Sequence, residues 1–311
     1  MPRGTSTPSR SLSTKTSEQW LVTGALGCLG AWTVATLARE GAAVVALDLG
    51  SDRRRLHLIA SKDELAPVTF VRGDITESKT ISHTVADHGI THIVHLAALQ
   101  VPFCKADPVL GAQVNVTGTV NVFEAAKQHG LAAPIAYASS AAVYDRHGAV
   151  APRTLYGVFK LANEGTGRVY WQEDGVASVG LRPFSVYGPG RDQGITAGPT
   201  LAIDAAVRGQ PYRIAFGGRT QLHYAPDVAR AFVQAARSPA DGAHAFSLGG
   251  PPTAIADFVT AVEAEIPGAE ITFDEAPLPF PDELPAPSFD TPLTPLEQGI
   301  RETAEVLRGV I

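Results

Sequence analysis

The 311-residue sequence predicts an α/β protein built on a doubly wound parallel sheet. Short apolar segments typical of buried strands lie at 20–23, 43–48, 68–71, 92–97, 134–139 and 176–181. Helix-length segments separate most of them, and the helical period is clearest at 109–129 and 156–174. Because strand and helix patterns alternate, the strands are expected to pair in parallel through helical crossovers.

The composition excludes several classes of protein. The chain is 45% apolar, and 25 Lys plus Arg against 31 Asp plus Glu give a net charge of −6, so no nucleic-acid partner is expected. No run approaches the roughly 18 apolar residues that span a bilayer, so we expect a soluble protein without a membrane partner. Two cysteines, Cys28 and Cys104, are too few for a disulfide framework and favour a reducing, cytoplasmic compartment.

The two ends of the chain differ from its middle. Residues 1–17 contain nine Ser or Thr, three basic residues and no acid, and are expected to form a disordered tail. A short transit-type signal has a similar composition. No Lys or Arg occurs from residue 238 to residue 300, where prolines are frequent, so this acidic region is expected to be separate from the first domain.

The first strand runs into a turn with glycines at Gly24, Gly27 and Gly30. Glycines at this spacing permit a tight turn, close approach to a pyrophosphate, and close packing of a helix on a strand. The amides of Cys28 and Leu29 would then face the phosphates at a helix N-terminus.

A carboxylate follows the second strand at Asp48, where it can accept hydrogen bonds from an adenosine ribose. Such a carboxylate repels a 2′-phosphate, so NAD is the expected cofactor rather than NADP. The arginines at 53–55 could compensate for this charge, but we interpret them as a solvated helix face.

A second group of residues indicates chemistry at a secondary alcohol. Ser140 follows the fifth strand, and Tyr156 and Lys160 are four residues apart on one helix face. The nearby ammonium, together with a positive nicotinamide, is expected to lower the phenol pKa from about 10 toward neutrality. Tyr156 is therefore the predicted proton-exchanging group, while Lys160 tunes it and Ser140 holds the substrate oxygen.

These motifs resemble the extended short-chain dehydrogenase/reductase group, the NAD-dependent epimerase/dehydratase family, from residue 19 to residue 308. The similar segments include TGALGCLG at 23–30, SSAAVY at 139–144, YGVFKLANE at 156–164 and LRPFSVYGP at 181–189. The resemblance implies a catalytic triad of Ser140, Tyr156 and Lys160, with Lys160 also binding the nicotinamide ribose. It implies further cofactor-binding residues, which are Asp74, Ile75, Leu96, Ala97, Ala98, Asn115 and Pro183.

The resemblance also implies the domain organisation. Residues 18–189 would form a Rossmann-type NAD-binding domain that carries the catalytic residues, and residues 190–311 mainly a smaller substrate-binding domain. A homodimer would form through the helices at 109–129 and 156–174.

The chain departs from the family at positions that bear on the substrate. Dehydratases carry an Asp-Glu pair where this chain has Ser140 and Ala141, which argues against dehydration. Nucleotide-sugar epimerases usually carry an Asn in place of Ser185 and a diphosphate-binding Arg in place of Thr220. The candidate residues for a polar or anionic substrate are Ser140, Ser185, Arg191, Arg219, Gln221 and His223.

The sequence thus predicts an NAD-dependent oxidoreductase that acts at a secondary alcohol or ketone of a sugar-like, polyhydroxylated small molecule. One alternative is a nucleotide-sugar 4-epimerase that uses the same residues. Another is a non-catalytic dinucleotide sensor, which needs the glycine turn but not Tyr156 or Lys160. No metal site is expected, because His92 and His95 are three residues apart on a strand and project to opposite faces.

Overall fold

The computed structural model describes residues 18–239 and 241–309, so the expected tail at 1–17 lies outside the described residues. The first part of the chain alternates strands and helices as predicted. Its elements are β1 (Gln19–Thr23), α1 (Cys28–Arg39), β2 (Ala43–Asp48), α2 (Arg54–Ile59), α3 (Lys62–Leu65), β3 (Thr69–Arg72), α4 (Ser78–Asp87), β4 (His92–His95), α5 (Val101–Ala106), α6 (Pro108–Ala112), a π-helical turn (Gln113–Thr117), α7 (Gly118–Gln128), β5 (Ile135–Ala138), a 3-10 turn (Ala141–Val143), α8 (Leu155–Asp174) and β6 (Ser178–Arg182).

Shorter elements follow β6. They are β7 (Ser185–Tyr187), α9 (Gly198–Val207), β8 (Tyr212–Ile214), β9 (Arg219–Tyr224), α10 (Ala225–Arg237), β10 (Ala243–Leu248), β11 (Pro252–Ala254), α11 (Ile255–Glu265), β12 (Ile271–Phe273), β13 (Ser288–Phe289) and α12 (Leu296–Arg308). No helix of the described residues is long and apolar enough to cross a lipid bilayer.

The central sheet confirms the predicted doubly wound fold. Within residues 18–239 and 241–309, eight strands pair in parallel in the order β13-β10-β6-β5-β4-β1-β2-β3. The order reverses between β1 and β4, which opens a crevice beyond the carboxyl ends of these strands. Open α/β sheets bind their ligands at such a crevice.

Apolar side chains cover both faces of the sheet. On β1, Trp20 and Val22 pack on the face covered by α1 and α10, whereas Leu21 packs on the opposite face with Ile81 of α4 and Phe123 of α7. Successive side chains of a strand point to opposite faces, which explains why β1 reads as a continuous apolar run.

The chain after residue 189 contributes to both parts of the molecule. A separate apolar core joins α9, α11 and α12 to two small sheets, β11-β9-β7 and β12-β8. However, β10 pairs with β6, β13 pairs with β10, and α10 packs on α1, so these elements extend the first domain. The substrate-binding part therefore does not include the whole chain after residue 189, because α10, β10 and β13 belong to the first domain.

A buried polar network ties the ends of β5 and β6 to α8. Glu164 on α8 accepts hydrogen bonds from Nε and Nη2 of Arg182 at 2.7 and 2.6 Å, and from the hydroxyl of Ser139 at 2.5 Å. Arg182 also donates to the hydroxyl of Tyr144 at 2.6 Å. Because both charged groups are almost fully buried, each compensates the other, and the network holds α8 in register with the strand ends.

We expect Glu164→Ala to lower the free energy of unfolding by about 3–5 kcal/mol, because it leaves the buried Arg182 guanidinium without a carboxylate. The matched control is Asp204→Ala, which breaks an exposed pair with Arg208 and is expected to cost less than about 1 kcal/mol. Urea unfolding monitored by circular dichroism measures both changes. Equal effects of the two substitutions would contradict the role given to the buried pair.

Candidate active site

The glycine turn forms one wall of a cleft of about 560 Å³ beyond β1, β2 and β4. Gly24 has a φ of +67°, and a Cβ there would lie 2.6 Å from the backbone nitrogen of Ala97. A Cβ on Gly30 would overlap the carbonyl oxygen of Gly24, so this glycine lets α1 pack closely against the turn. Gly27 caps α1 without a side-chain hydrogen bond, which leaves the first amides of the helix directed at the cleft.

Asp48 lies at the carboxyl end of β2 and lines the cleft. Its two carboxylate oxygens accept hydrogen bonds from the amides of Leu26 and Gly50, both at 2.9 Å. These bonds fix the orientation of the carboxylate, which is where the sequence predicts contact with a ribose.

The arginines at 53–55 are solvated as expected at Arg53 and Arg54, which are exposed, but not at Arg55, which is partly buried. Arg53 stacks on the ring of Phe70, with its Cζ 3.6 Å from the ring centroid. Arg55 lines the cleft and forms an ion pair with Asp192 at 2.6 Å, and Arg54 pairs with the same carboxylate at 3.0 Å. The tertiary fold brings Asp192 to these arginines from a loop far along the chain, which no local pattern could indicate.

The far end of the cleft is formed by the turn after β3 and the segment after β4. Asp74 accepts hydrogen bonds from the amide and the hydroxyl of Thr76, both at 2.8 Å. The structure places nine predicted cofactor residues in this one cleft, namely Gly24, Gly27, Cys28, Asp48, Asp74, Ile75, Leu96, Ala97 and Ala98.

Asn115 holds the edge of the cleft from behind rather than lining it. Its side chain accepts a hydrogen bond from the amide of Leu99 at 2.7 Å and donates to the carbonyl of Leu99 at 2.9 Å. Asn115 lies in the π-helical turn that interrupts the predicted helix at 109–129. The widened turn leaves its backbone carbonyl free to accept hydrogen bonds from Thr119 and Asn163.

His95 is a structural residue at the end of β4. Its ring nitrogens lie 2.7 Å from the hydroxyl of Thr23 and 3.0 Å from that of Thr119, and burial lowers its pKa to about 3. His92 instead stacks on the indole of Trp20. Among the described residues, no group of three or more His, Cys, Asp or Glu side chains could hold a metal ion.

Ser140, Tyr156 and Lys160 come together beside the cleft. Lys160 is 3% exposed, and its ammonium lies 5.5 Å from the centroid of the Tyr156 ring and donates to the carbonyl of Ala138 at 2.6 Å. Burial lowers the pKa of Lys160 to about 8. The hydroxyl of Ser140 accepts a hydrogen bond from the amide of Ala142 at 3.1 Å.

The pKa of Tyr156 is raised rather than lowered in this structure. Burial of the phenol is the main cause, and the Ser140 hydroxyl and the positive charge of Arg191 oppose it. The sequence correctly paired Tyr156 with Lys160, but the loss of water around the phenol outweighs the charges that this structure brings near it.

A second compartment of about 130 Å³ adjoins the larger cleft. Its wall includes Ser140 and Tyr156, together with the predicted cofactor residues Leu29 and Pro183. Gln100 and Arg191 line both spaces, so they mark the junction between the compartments. Sequence analysis missed Gln100, Thr196 and Phe280, which also line the small compartment, because no local motif distinguishes them.

Ser185 and His223 do not line either space. The hydroxyl of Ser185 lies 2.8 Å from that of Thr220, and both residues are fully buried. His223 accepts from the amide of Phe184 at 3.0 Å, and its other ring nitrogen lies 3.2 Å from the carbonyl of Gly249. We therefore remove both from the candidate substrate residues, because their polar atoms are used inside the protein.

The remaining candidates on β9 are also directed elsewhere. Arg219 is exposed and donates to the carbonyl of Pro252 at 2.6 Å. Gln221 is buried, where it donates to the carbonyl of Gly250 at 2.6 Å and accepts from the amide of Leu284 at 2.9 Å. Apart from Ser140, which is also a predicted catalytic residue, Arg191 is the one predicted substrate residue that lines the two compartments.

Comparison with known proteins agrees with this geometry. A model of the NAD dependent epimerase/dehydratase family matches residues 20–249. The chain belongs to this family. A UDP-glucose 4-epimerase of Mycolicibacterium smegmatis is 32% identical over 261 residues, which cover 79% of this chain and 82% of that protein. UDP-glucuronate 4-epimerase 2 of Arabidopsis thaliana is 33% identical over 182 residues, 54% of this chain and only 42% of that protein's length.

Two solved structures show the same fold over almost the whole chain. The UDP-glucose 4-epimerase of Thermus thermophilus in complex with NAD is 26% identical, with a TM-score of 0.75 over 94% of this chain and all (100%) of that chain. An L-threonine dehydrogenase from Clostridium difficile is 21% identical, with a TM-score of 0.83 over 94% of this chain and 98% of that chain.

The cleft of this family member fits NAD. The cradle at Gly24 and Gly27 has no side chains, the amides of the first α1 turn face it, and the oriented carboxylate of Asp48 lies at its other side. Cys28 and Leu29 would hold the pyrophosphate, Asp48 the ribose, and Asp74 and Ile75 the adenine. The chain is therefore an NAD-dependent enzyme, and the sensor alternative is not retained.

The buried position of His223 predicts a pH-dependent stability. Burial lowers the pKa of His223 to about 4, so the unfolded chain binds a proton between pH 4 and 6.5 that the folded chain does not. The free energy of unfolding therefore falls as the pH decreases through this range, by up to about 1.4 kcal/mol per pH unit for this group.

His223→Gln is expected to make this decrease shallower, whatever it does to stability at pH 7.5, and His95 accounts for part of the remaining slope. Urea unfolding at several pH values between 4.5 and 7.5 measures the slope. The exposed His83→Gln is the matched control and is expected to leave it unchanged. A wild-type slope in His223→Gln would show that His223 is accessible to solvent.

Proposed function

We propose that this enzyme is a dehydrogenase that oxidises a secondary alcohol, or reduces the corresponding ketone, on a small polar, sugar-like molecule. The observation that carries the proposal is the position of Ser140 and Tyr156 in the wall of the small compartment, beside the nucleotide cleft. Lys160 lies directly behind Tyr156, with its charge buried.

Each of these residues has a distinct task. In the oxidation direction, Tyr156 takes the hydroxyl proton as the carbinol carbon loses a hydride, and in the reduction direction it returns the proton. Ser140 donates a hydrogen bond to the substrate oxygen and holds it in line with the reacting carbon. The ammonium of Lys160, together with the positive nicotinamide of bound NAD, would offset the burial that raises the pKa of Tyr156. NAD, when bound, supplies the hydride acceptor or donor.

Two observations favour a small substrate over a nucleotide sugar. The compartment beside Tyr156 has a volume of about 130 Å³, which is below the roughly 300–1,000 Å³ of pockets that hold drug-sized ligands. In addition, Ser185 and Thr220 occupy the positions where epimerases of the family carry an Asn and a diphosphate-binding Arg. In this chain the two hydroxyls bond to each other in the core, where both residues are fully buried and neither faces a diphosphate.

A nucleotide-sugar 4-epimerase is the second candidate. The 32% identity to a UDP-glucose 4-epimerase over most of both chains favours it. An epimerase uses the same Tyr156 and Lys160, but it oxidises and then reduces one substrate without net release of NADH.

Two assays of the purified enzyme distinguish the candidates. We expect NADH formation with one or more members of a panel of sugars, polyols and sugar acids, and no interconversion of UDP-glucose and UDP-galactose. Tyr156→Phe is expected to reduce kcat by about 10²–10⁴-fold, because it removes the proton acceptor. Its affinity for NAD, measured by calorimetry, should be unchanged. Interconversion of the two UDP-sugars without net NADH would overturn the dehydrogenase in favour of the epimerase.

We also propose that the enzyme is a cytoplasmic homodimer that pairs through α8. An exposed stripe at helical spacing on α8 consists of apolar residues, namely Leu155, Val158, Ala162 and Val169. Two such faces could pair in a four-helix arrangement together with α7. Cys28 and Cys104 are both free, which is consistent with a reducing compartment, and fractionation of the source cells tests the location.

Val169→Glu is expected to convert the dimer to a monomer, because it places a charge within the paired apolar faces. Leu293→Glu, which also replaces an exposed apolar residue by an acid but lies outside α8, is the control. Sedimentation velocity measures the mass of each protein in solution. A wild-type monomer, or a dimer that survives Val169→Glu, would contradict the proposed interface.

A further inference from the structure

Arg191 is a cation without an anion at the junction of the two compartments. Its Nη2 donates to the hydroxyl of Thr196 at 3.2 Å, but its Nε is buried without a hydrogen-bond partner. It forms no ion pair with any carboxylate of the described residues. The adjacent Asp192 does not neutralise it, since that carboxylate is paired with Arg54 and Arg55.

An unpaired acceptor lies next to this cation. Oε1 of Gln100 is also buried without a hydrogen-bond partner. A Cβ on Gly194 would overlap Oε1 of Gln100 and would lie 3.0 Å from Nη2 of Arg191, so both side chains pass close to the same glycine. Gly194 has a φ of +99°, which favours glycine and keeps this space open.

Buried polar groups in native proteins almost always have a hydrogen-bond partner. Two unpaired groups on one wall therefore indicate that a ligand supplies the missing partners. A guanidinium with a free Nε can bind a carboxylate through two parallel hydrogen bonds. A free amide oxygen accepts a hydrogen bond from a hydroxyl or an ammonium group. Both groups line the same 130 Å³ compartment as Ser140 and Tyr156, so a ligand bound there lies beside all four residues.

We propose that the substrate is a small hydroxy acid. Its carboxylate binds to Arg191, a hydroxyl or ammonium group on the chain donates to Gln100, and its secondary alcohol lies between Ser140 and Tyr156. Oxidation moves the alcohol proton to Tyr156 and the hydride of the carbinol carbon to NAD, and the product is a keto acid. This inference rests on the dehydrogenase function proposed above and adds the charge of the substrate to it.

The test compares acids with their neutral alcohols on the same carbon chain. The pairs are 3-hydroxybutyrate with 1,3-butanediol and threonate with threitol, each assayed for NADH formation at saturating NAD. At least one acid is expected to exceed its alcohol by about 10- to 150-fold in kcat/KM, which is the range for a hydrogen bond to a charged group.

Substitutions of Arg191 assign this preference to a residue. Arg191→Gln should reduce kcat/KM for the acid by about 10- to 150-fold more than it reduces kcat/KM for the neutral alcohol, which loses only the effect of the Arg191 charge on Tyr156. Arg191→Lys keeps the charge but not the two parallel donors, so it should fall between wild type and Arg191→Gln. Arg213→Gln, on an exposed residue that pairs with Asp274 on the surface, is the matched control and should behave as wild type.

Binding to the Tyr156→Phe enzyme separates this inference from the proposed function. Calorimetry with NAD present measures the affinity of each acid without turnover, and one or more acids should bind in an Arg191-dependent manner.

If the alcohols react as well as the acids and Arg191→Gln alters neither, the hydroxy-acid inference is overturned while the dehydrogenase stands. If Arg191→Gln weakens NAD itself, the cation serves the pyrophosphate, which also overturns it. If UDP-sugars interconvert instead, the proposed function fails, and if no acid binds, the inference fails.

Discussion

The chemistry proposed for this site depends on the buried ammonium of Lys160. It is held by one hydrogen bond to the carbonyl of Ala138, and no carboxylate of the described residues pairs with it. A buried cation is costly unless the fold fixes it, and burial accordingly lowers its pKa to about 8. The Glu164–Arg182 pair, one helical turn beyond Lys160, locks α8 to the strand ends and so keeps the ammonium beneath the Tyr156 ring.

The distribution of satisfied and unsatisfied polar groups distinguishes the two compartments. In the nucleotide cleft, Asp48 is oriented by two backbone amides and Arg55 is neutralised by Asp192. In the small compartment, Arg191 and Gln100 keep buried atoms without partners. Buried polar groups of proteins are almost always paired. The unpaired atoms of Arg191 and Gln100 therefore support the proposed substrate site, whereas the paired groups of the nucleotide cleft fix the orientation of its side chains.

The sequence predicted the residues whose roles follow from local spacing and misplaced those whose roles depend on the neighbouring chain. Tyr156 and Lys160 meet because they are one turn apart on a helix. His223 and Ser185 also lie near the predicted domain junction, but their side chains are used by Gly249 and Thr220. The helix expected at 109–129 is interrupted by a π-helical turn, because Asn115 is held by Leu99 and Asn163 rather than by the helical period.

The sequence by itself determined the alternation of strands and helices, the glycine turn with Asp48, and the Tyr156–Lys160 pair, since each is set by periodicity within one element or by a short turn. Only the tertiary structure decided that Arg191 and Gln100 share a wall, that Asp192 neutralises Arg55 instead of Arg191, and that His223 faces the core. These contacts join loops far apart in the chain, and the direction of each side chain follows from strand register and from how the loop at 190–196 lies over the sheet edge, which no local pattern encodes.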